Sequence, residues 1–254
     1  MDLLNIWNVT ISDTHFSDSF TRDLPEEFRG NAAGLGLRYR NALSNATATI
    51  NVMDCTFEGN TAGVPDSLES NSDQLRFDTL NRNAFFARGG GFGLFILNGS
   101  SDNSSDALPP QVNFVMERCT FTNNTATVGG GLYIAPFGTD INHTFTVKDS
   151  TFVDNNATDI GGGVLIGFPS RFDYPSHITT RFENCTFRKN TADTAGGVAI
   201  VQAYPQGSGH KVEIVRCRFE ENRSFRTGAG VQFASHAHLL VFEGANFFYL
   251  VEDW

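Results

Sequence analysis

The chain is short of the residues that would take it to nucleic acid, across a membrane or into long helices. Its 18 Lys and Arg face 28 Asp and Glu, a formal net charge of -10. Phosphate neutralisation needs clustered cations, so no nucleic-acid partner is expected. No apolar run approaches the roughly 20 residues of a membrane span. The opening Met1-Asp2-Leu3-Leu4-Asn5-Ile6-Trp7-Asn8 has neither a basic region nor an apolar one, and does not read as a secretion signal. Met (3) and Pro (8) are scarce, and runs of Ala, Glu, Leu and Lys are missing. There is no Gly-Gly-x-Gly-x-Asp calcium repeat, and the four Cys lack metal-type spacing.

What the chain has instead is 24 Phe, 25 Gly and 22 Asn. Phe, with Val and Ile, suits pleated surfaces, and Gly and Asn are what tight turns demand, so composition indicates an all-β protein with many turns. At 254 residues there is room for two ordinary domains or one elongated repeat domain.

Internal repeats decide between these. One block recurs as Cys55-Thr-Phe57-x-x-Asn60, Cys119-Thr-Phe121-x-x-Asn124, Ser150-Thr-Phe152-x-x-Asn155, Cys185-Thr-Phe187-x-x-Asn190 and Cys217-Arg-Phe219-x-x-Asn222, with degenerate copies through Phe16 and Phe247. The Phe residues are 41, 64, 31, 35, 32 and 28 apart, a period near 32 with insertions near 20–35 and 65–88. A second block follows: Gly34-Leu-Gly36, Gly89-Gly-Gly91, Gly129-Gly-Gly131, Gly161-Gly-Gly163, Gly196-Gly197 and Gly228-Ala-Gly230. Each opens an alternating run such as Leu132 and Ile134 or Val164 and Ile166, the mark of a half-buried strand.

Upstream of the Cys position lie further alternating apolar pairs, among them Ile50 and Val52, Phe114 and Met116, Phe145 and Val147, and Val212 and Ile214. The parity then breaks across two polar residues such as Glu117-Arg118. A one-residue shift flips every side chain, so a break shared by all copies marks a corner. The expected unit is a triangular coil: strand, corner, strand, Asn turn, Gly-led strand. Stacked at about 4.8 Å, such coils align the Phe residues into an aromatic ladder and the Asn residues into an amide ladder. Asn in that turn is expected to take the left-handed conformation. The fold class is therefore an all-β, single-stranded parallel β-helix of six to seven coils, taken as right-handed from the strong general preference for right-handed crossovers. It is read as one domain over 1–254, and as a piece of a longer repeat protein whose end coils need covering.

Phe-x-x-Asn-x-Ala followed by Gly-Gly-Gly-apolar-x-apolar, clearest at Phe121–Ile134, Phe152–Ile166 and Phe187–Ile200, resembles the repeat of the chlamydial polymorphic outer membrane proteins. The resemblance covers roughly residues 9–250. It implies a surface-exposed, adhesive passenger segment on a pectin-lyase-like fold. The family's secretion signal and C-terminal membrane barrel have no counterpart in this sequence.

Related folds host polysaccharide lyases and hydrolases, whose sites gather acids and cations on one strand face. Here the outward residues of the Gly-led strands are Arg38, Gly93, Tyr133, Leu165, Ala199 and Gln232, which offer no carboxylate pair. The Gly209-His210-Lys211 stretch lacks the paired Asp residues that a polygalacturonase site needs. His236 and His238 share a strand face, but two ligands make a weak metal site. No catalytic residue, cofactor or metal is expected, with a polysaccharide-active enzyme as the alternative. Cys55, Cys119, Cys185 and Cys217 hold equivalent places and read first as a buried thiol stack, with disulfides between adjacent coils as the second reading. Nine Asn-x-Ser/Thr sequons, at Asn8, Asn45, Asn98, Asn103, Asn123, Asn142, Asn156, Asn184 and Asn222, point to an extracellular or cell-surface glycoprotein. Expected partners are a protein or glycan surface ligand, or neighbouring repeats. The contact regions would be the loops at 20–35, 65–88, 98–111, 136–143, 167–178 and 203–210. A passive spacer in a larger surface protein is the remaining reading.

Overall fold

In the computed structural model, residues 1–4, 8–21, 32–41, 47–63, 88–98, 111–136, 141–168, 176–202, 209–234 and 237–248 are described. The strands form four parallel sheets, three of seven strands and one of six, in which each strand pairs with its equivalents one coil before and after. The architecture is a right-handed parallel β-helix.

The third coil shows the path. Gln111–Glu117 belongs to sheet I, Thr120–Thr122 to sheet II, Thr125–Val128 to sheet III and Leu132–Pro136 to sheet IV. The coil therefore has four sides, not the three expected. Sheet III escapes a periodicity reading because its strands are as short as Thr61–Ala62 and carry irregular register shifts.

Left-handed residues, three in each complete inner coil, make the corners. Between sheets I and II they are Asp13, Asp54, Arg118, Asp149, Asn184, Arg216 and Gly244, all with φ between 47° and 60°. Between sheets II and III they are Asp18, Gly59, Asn123, Asp154, Lys189 and Glu221. These precede the ladder Asn in each coil, so the expectation that Asn60, Asn124, Asn155, Asn190 and Asn222 themselves are left-handed is corrected. The ladder Asn is there for its amide. Before sheet IV the left-handed residues are Gly89, Gly129, Gly161, Ala195 and Gly228.

At this third corner the side chain four residues on packs over the turn. A Cβ on Gly129 would lie 2.8 Å from Tyr133 Cβ, and one on Gly161 would lie 2.9 Å from Leu165 Cβ. Where an alanine stands instead, at Ala195, the residue four further on is the small Ala199.

The interior is one continuous column. Ile50 and Val52, Phe114 and Met116, Phe145 and Val147, and Val212 and Ile214 all point inward from sheet I and are buried, as are Leu132, Ile134, Val164 and Ile166 from sheet IV. Nearest-neighbour stacking is what buries them, since no single coil encloses a core.

Candidate functional site

The most ordered constellation is the pair of ladders on sheet II and its exit. Phe16, Phe57, Phe121, Phe152, Phe187 and Phe219 stack ring on ring at centroid distances of 4.9, 4.6, 4.7, 5.0 and 4.8 Å, within 10° of parallel. Beside them each Asn side chain is held on all sides. Asn124 Nδ2 donates to Asn155 Oδ1 (2.9 Å) and to the Phe57 carbonyl (2.9 Å). Its own Oδ1 accepts from the Nδ2 and backbone N–H of Asn60. Asn155 and Asn190 repeat the pattern. Ser19 N–H donates to Asn60 Oδ1 at one end, and Asn222 Nδ2 donates to the Phe187 carbonyl at the other. These residues are architecture: their polar atoms are consumed by one another.

The Cys position is a corner fastener. Cys55, Cys119, Cys185 and Cys217 are buried and unbridged, and each Sγ donates to the carbonyl two residues back at 3.2–3.4 Å. Ser150 Oγ makes the same bond to the Lys148 carbonyl (2.7 Å), and Thr14 Oγ1 does so to Ser12 (2.8 Å). Burial pushes the Cys119 thiol up to about 12 and raises Cys55. It also raises Cys185. Buried thiols of this kind make poor nucleophiles.

The outward face of sheet IV departs from expectation. Tyr133, Leu165 and Ala199 were to stand in solvent, yet they are at most 1% exposed. They form a second apolar layer with Val128, Ile160 and Ala195, the residues that turn into the third corner. The Arg88 guanidinium lies 5.9 Å from the Tyr133 ring centroid. The central stretch of this outward face is thus packed over.

Chemistry appears instead on sheet III. Thr127, Asp159, Asp193 and Arg226 each stand two residues before the left-handed corner residue of their coil. The strands pair side by side with register shifts at this point, and three of the four are brought within reach of one another: Asp159, Asp193 and Arg226. Arg226 Nε pairs with Asp193 at 2.7 Å. Asp159 is half-buried, and desolvation, helped by the Asp193 charge and opposed by Arg226, raises its carboxyl to about 6. Sequence reading missed this group because it did not resolve sheet III.

It also missed His143. Nδ1 accepts from the Val112 N–H (3.1 Å), Nε2 is buried without a hydrogen-bond partner, and burial lowers the ring to about 3. Extending the parity of Phe145 and Val147 one step back would have placed it inside.

Among the described residues no group of three or more His, Cys, Asp or Glu is placed to hold a metal ion. The side chains of His210, His236 and His238 lie outside the described part of the structure, as do most of the six loops and both insertions. Of the sequons, Asn8, Asn123, Asn142, Asn156 and Asn184 are exposed, while Asn222 is half-buried in the amide ladder. Asn184 is also engaged, donating to Asp149 and accepting from Arg216. Asn45, Asn103 and the Asn98 side chain lie outside the described part.

Residues 118–135 match the family described as the Chlamydia polymorphic membrane protein repeat. No curated protein and no solved structure matches the chain. The matched stretch runs from the first corner of the third coil, through its Phe and Asn rungs, into the Gly-led strand.

Proposed function

We propose that the chain is a non-catalytic scaffold segment of a cell-surface protein, which holds binding elements at fixed spacing along a rigid column. The observation that carries this reading is the packed outer face of sheet IV. With Tyr133, Leu165 and Ala199 buried, its central stretch has no open carbohydrate groove. The match to a repeat of membrane proteins and the exposed sequons support a surface setting. Binding then falls to the segments joining the coils and to the remaining outward faces, because variable connections on a fixed frame are where specificity varies. The test is binding of the purified chain to cell and glycan surfaces, with shortened joins at 64–87, 99–110 and 169–175. The reading predicts loss of binding with an unchanged unfolding midpoint; absence of any surface binding would overturn it.

A polysaccharide-active enzyme is the second reading, favoured by Asp159 and Asp193. Two carboxylates whose surroundings differ, one pushed towards neutrality and one paired with Arg226, are the usual ingredients of acid-base catalysis. It predicts release of reducing sugars or unsaturated products, abolished in Asp159→Asn and Asp193→Asn.

A further inference from the structure

Sheet I presents every second side chain to solvent, and over its first four coils the three outward rows farther from the corner carry no charge. Asn8, Thr49, Asn113, Thr144 and Thr179 stand in one register row. Thr10, Asn51, Val115 and Thr146 form the next row towards the corner. On the other side, Thr47 Oγ1 meets Gln111 Oε1 at 3.4 Å, and Asn142 pairs in register with His177. All of these are exposed or half-buried. Charge returns at the margins, first in the row beside the corner, where Glu117, Lys148 and Glu183 stand in register. Arg181 and Lys211 each sit 2.6 Å from Glu213, in ion pairs that close the patch at the fifth and sixth coils. On a chain of net charge -10, so large a neutral surface is a property of this face and not of the whole surface.

Strands about 4.8 Å apart, with outward positions about 6.7 Å apart along each, give a flat grid on the order of 19 by 13 Å. Its Thr side chains are stiff at the first torsion, so little freedom is lost when they are fixed by a ligand. Such a grid can exchange many hydrogen bonds with a neutral hydroxyl-rich polymer without desolvating a charge. A repeating ligand engages several rungs at once, which multiplies weak contacts. An anionic polymer gains nothing from the grid and meets a negatively charged molecule around it.

We infer that this face of sheet I docks a neutral polysaccharide lying across the rungs. The inference rests on the surface-scaffold reading and assigns its binding face. Glycans on Asn8 and Asn142 would cover part of the grid, so the probe is the full chain made without glycosylation.

The experiment is co-sedimentation with insoluble cellulose, chitin and β-1,3-glucan, with pectate and alginate gels as anionic counterparts. Asn113→Lys and Thr144→Glu place opposite charges in the centre of the grid, and Val153→Glu on sheet II is the control. The inference predicts retention on at least one neutral polymer, weakened about tenfold or more by each central variant and unchanged in the control. Unfolding midpoints report whether each variant is folded, and a second pair, Asn51→Lys and Thr179→Glu, replaces any that is not. Retention that survives both central variants, or that is equal on anionic polymers, overturns it. If retention survives them but falls on shortening 169–175, the scaffold reading stands and the face assignment fails. No retention on any polymer also overturns the face assignment, and soluble cleavage products would overturn the non-catalytic reading alone.

Discussion

His143 stands in an inward position of sheet I, with Val112 and Ile178 as its register neighbours. Its folded-state value of about 3 lies below the ordinary 6.5, so the unfolded chain takes up the proton first. Its contribution is complete above pH 6.5 and is lost as pH falls towards 3, by up to about 4 kcal/mol. Asp159 runs the other way. Raised to about 6 from 3.8, it favours the folded state increasingly as pH falls through that window, because the native chain then binds the extra proton. Urea titrations from pH 3 to 8 separate the two. His143→Asn, which keeps an acceptor near the Val112 N–H, should flatten the acid loss between pH 6.5 and 3. Asp159→Asn should raise stability by about 1–2 kcal/mol at pH 7 and make no difference below pH 4. A steeper acid loss in His143→Asn would contradict the first assignment. A single residue of this kind is the least legible level in the sequence: His143 lies inside a sequon, where Asn142 draws the eye, and only its parity betrays it.

At the scale of the element, the corners and the amide ladder share the work of keeping coils in register. Asn155→Ala would leave Asn124 Nδ2, the Asn124 N–H and the Phe121 carbonyl without their partners inside the column, a cost of about 3–6 kcal/mol. Asn222→Ala strips three bonds against four, those of Asn190 Nδ2, the Asn190 N–H and the Phe187 carbonyl, and does so at a half-buried end that water reaches, so it should cost less, about 2–3 kcal/mol. Equal losses in denaturant unfolding would show that the ladder does not act through its internal bonds. The corners offer a test in both directions. Gly129→Ala should destabilise, since its φ is +63 and Tyr133 Cβ occupies the space. Lys189→Gly, at an exposed left-handed residue, should stabilise by about 0.5–1 kcal/mol. The Phe, Asn and Gly rungs were legible because each repeats one residue type. The first two corners were legible as a parity break and an Asn turn but not as left-handed residues, because Asp, Asn, Arg, Lys and Glu all serve there and the strain is borne by the stacked backbone. Sheet III stayed hidden for a related reason: two to five residues with register shifts carry no usable period.

For the whole molecule, the sequence period of about 32 and the interrupted spacings were enough to give the parallel, stacked architecture, because a solenoid's order is one-dimensional and so is a sequence; its hand came from the general preference for right-handed crossovers and from the family resemblance. The same property governs how it should come apart. Each coil touches only its neighbours, so stability is a chain of interfaces, and a weak one divides the column. Phe152 stacks on Phe121 at 4.7 Å and on Phe187 at 5.0 Å. Removing its ring in Phe152→Ala opens a cavity in the middle coil at a cost of about 3–5 kcal/mol. Phe16, half-buried and stacked on Phe57 alone among the ladder rings, should cost less when cut to Ala, about 1–2 kcal/mol. The central cut should also change the form of unfolding. In hydrogen exchange, amides of 111–136 and 176–202 should open together in the parent chain and at separate denaturant concentrations in Phe152→Ala, whereas Phe16→Ala should only fray the first coil. A single shared transition in Phe152→Ala would mean that the coils are coupled beyond nearest neighbours, through the continuous amide ladder that the Phe substitution leaves in place.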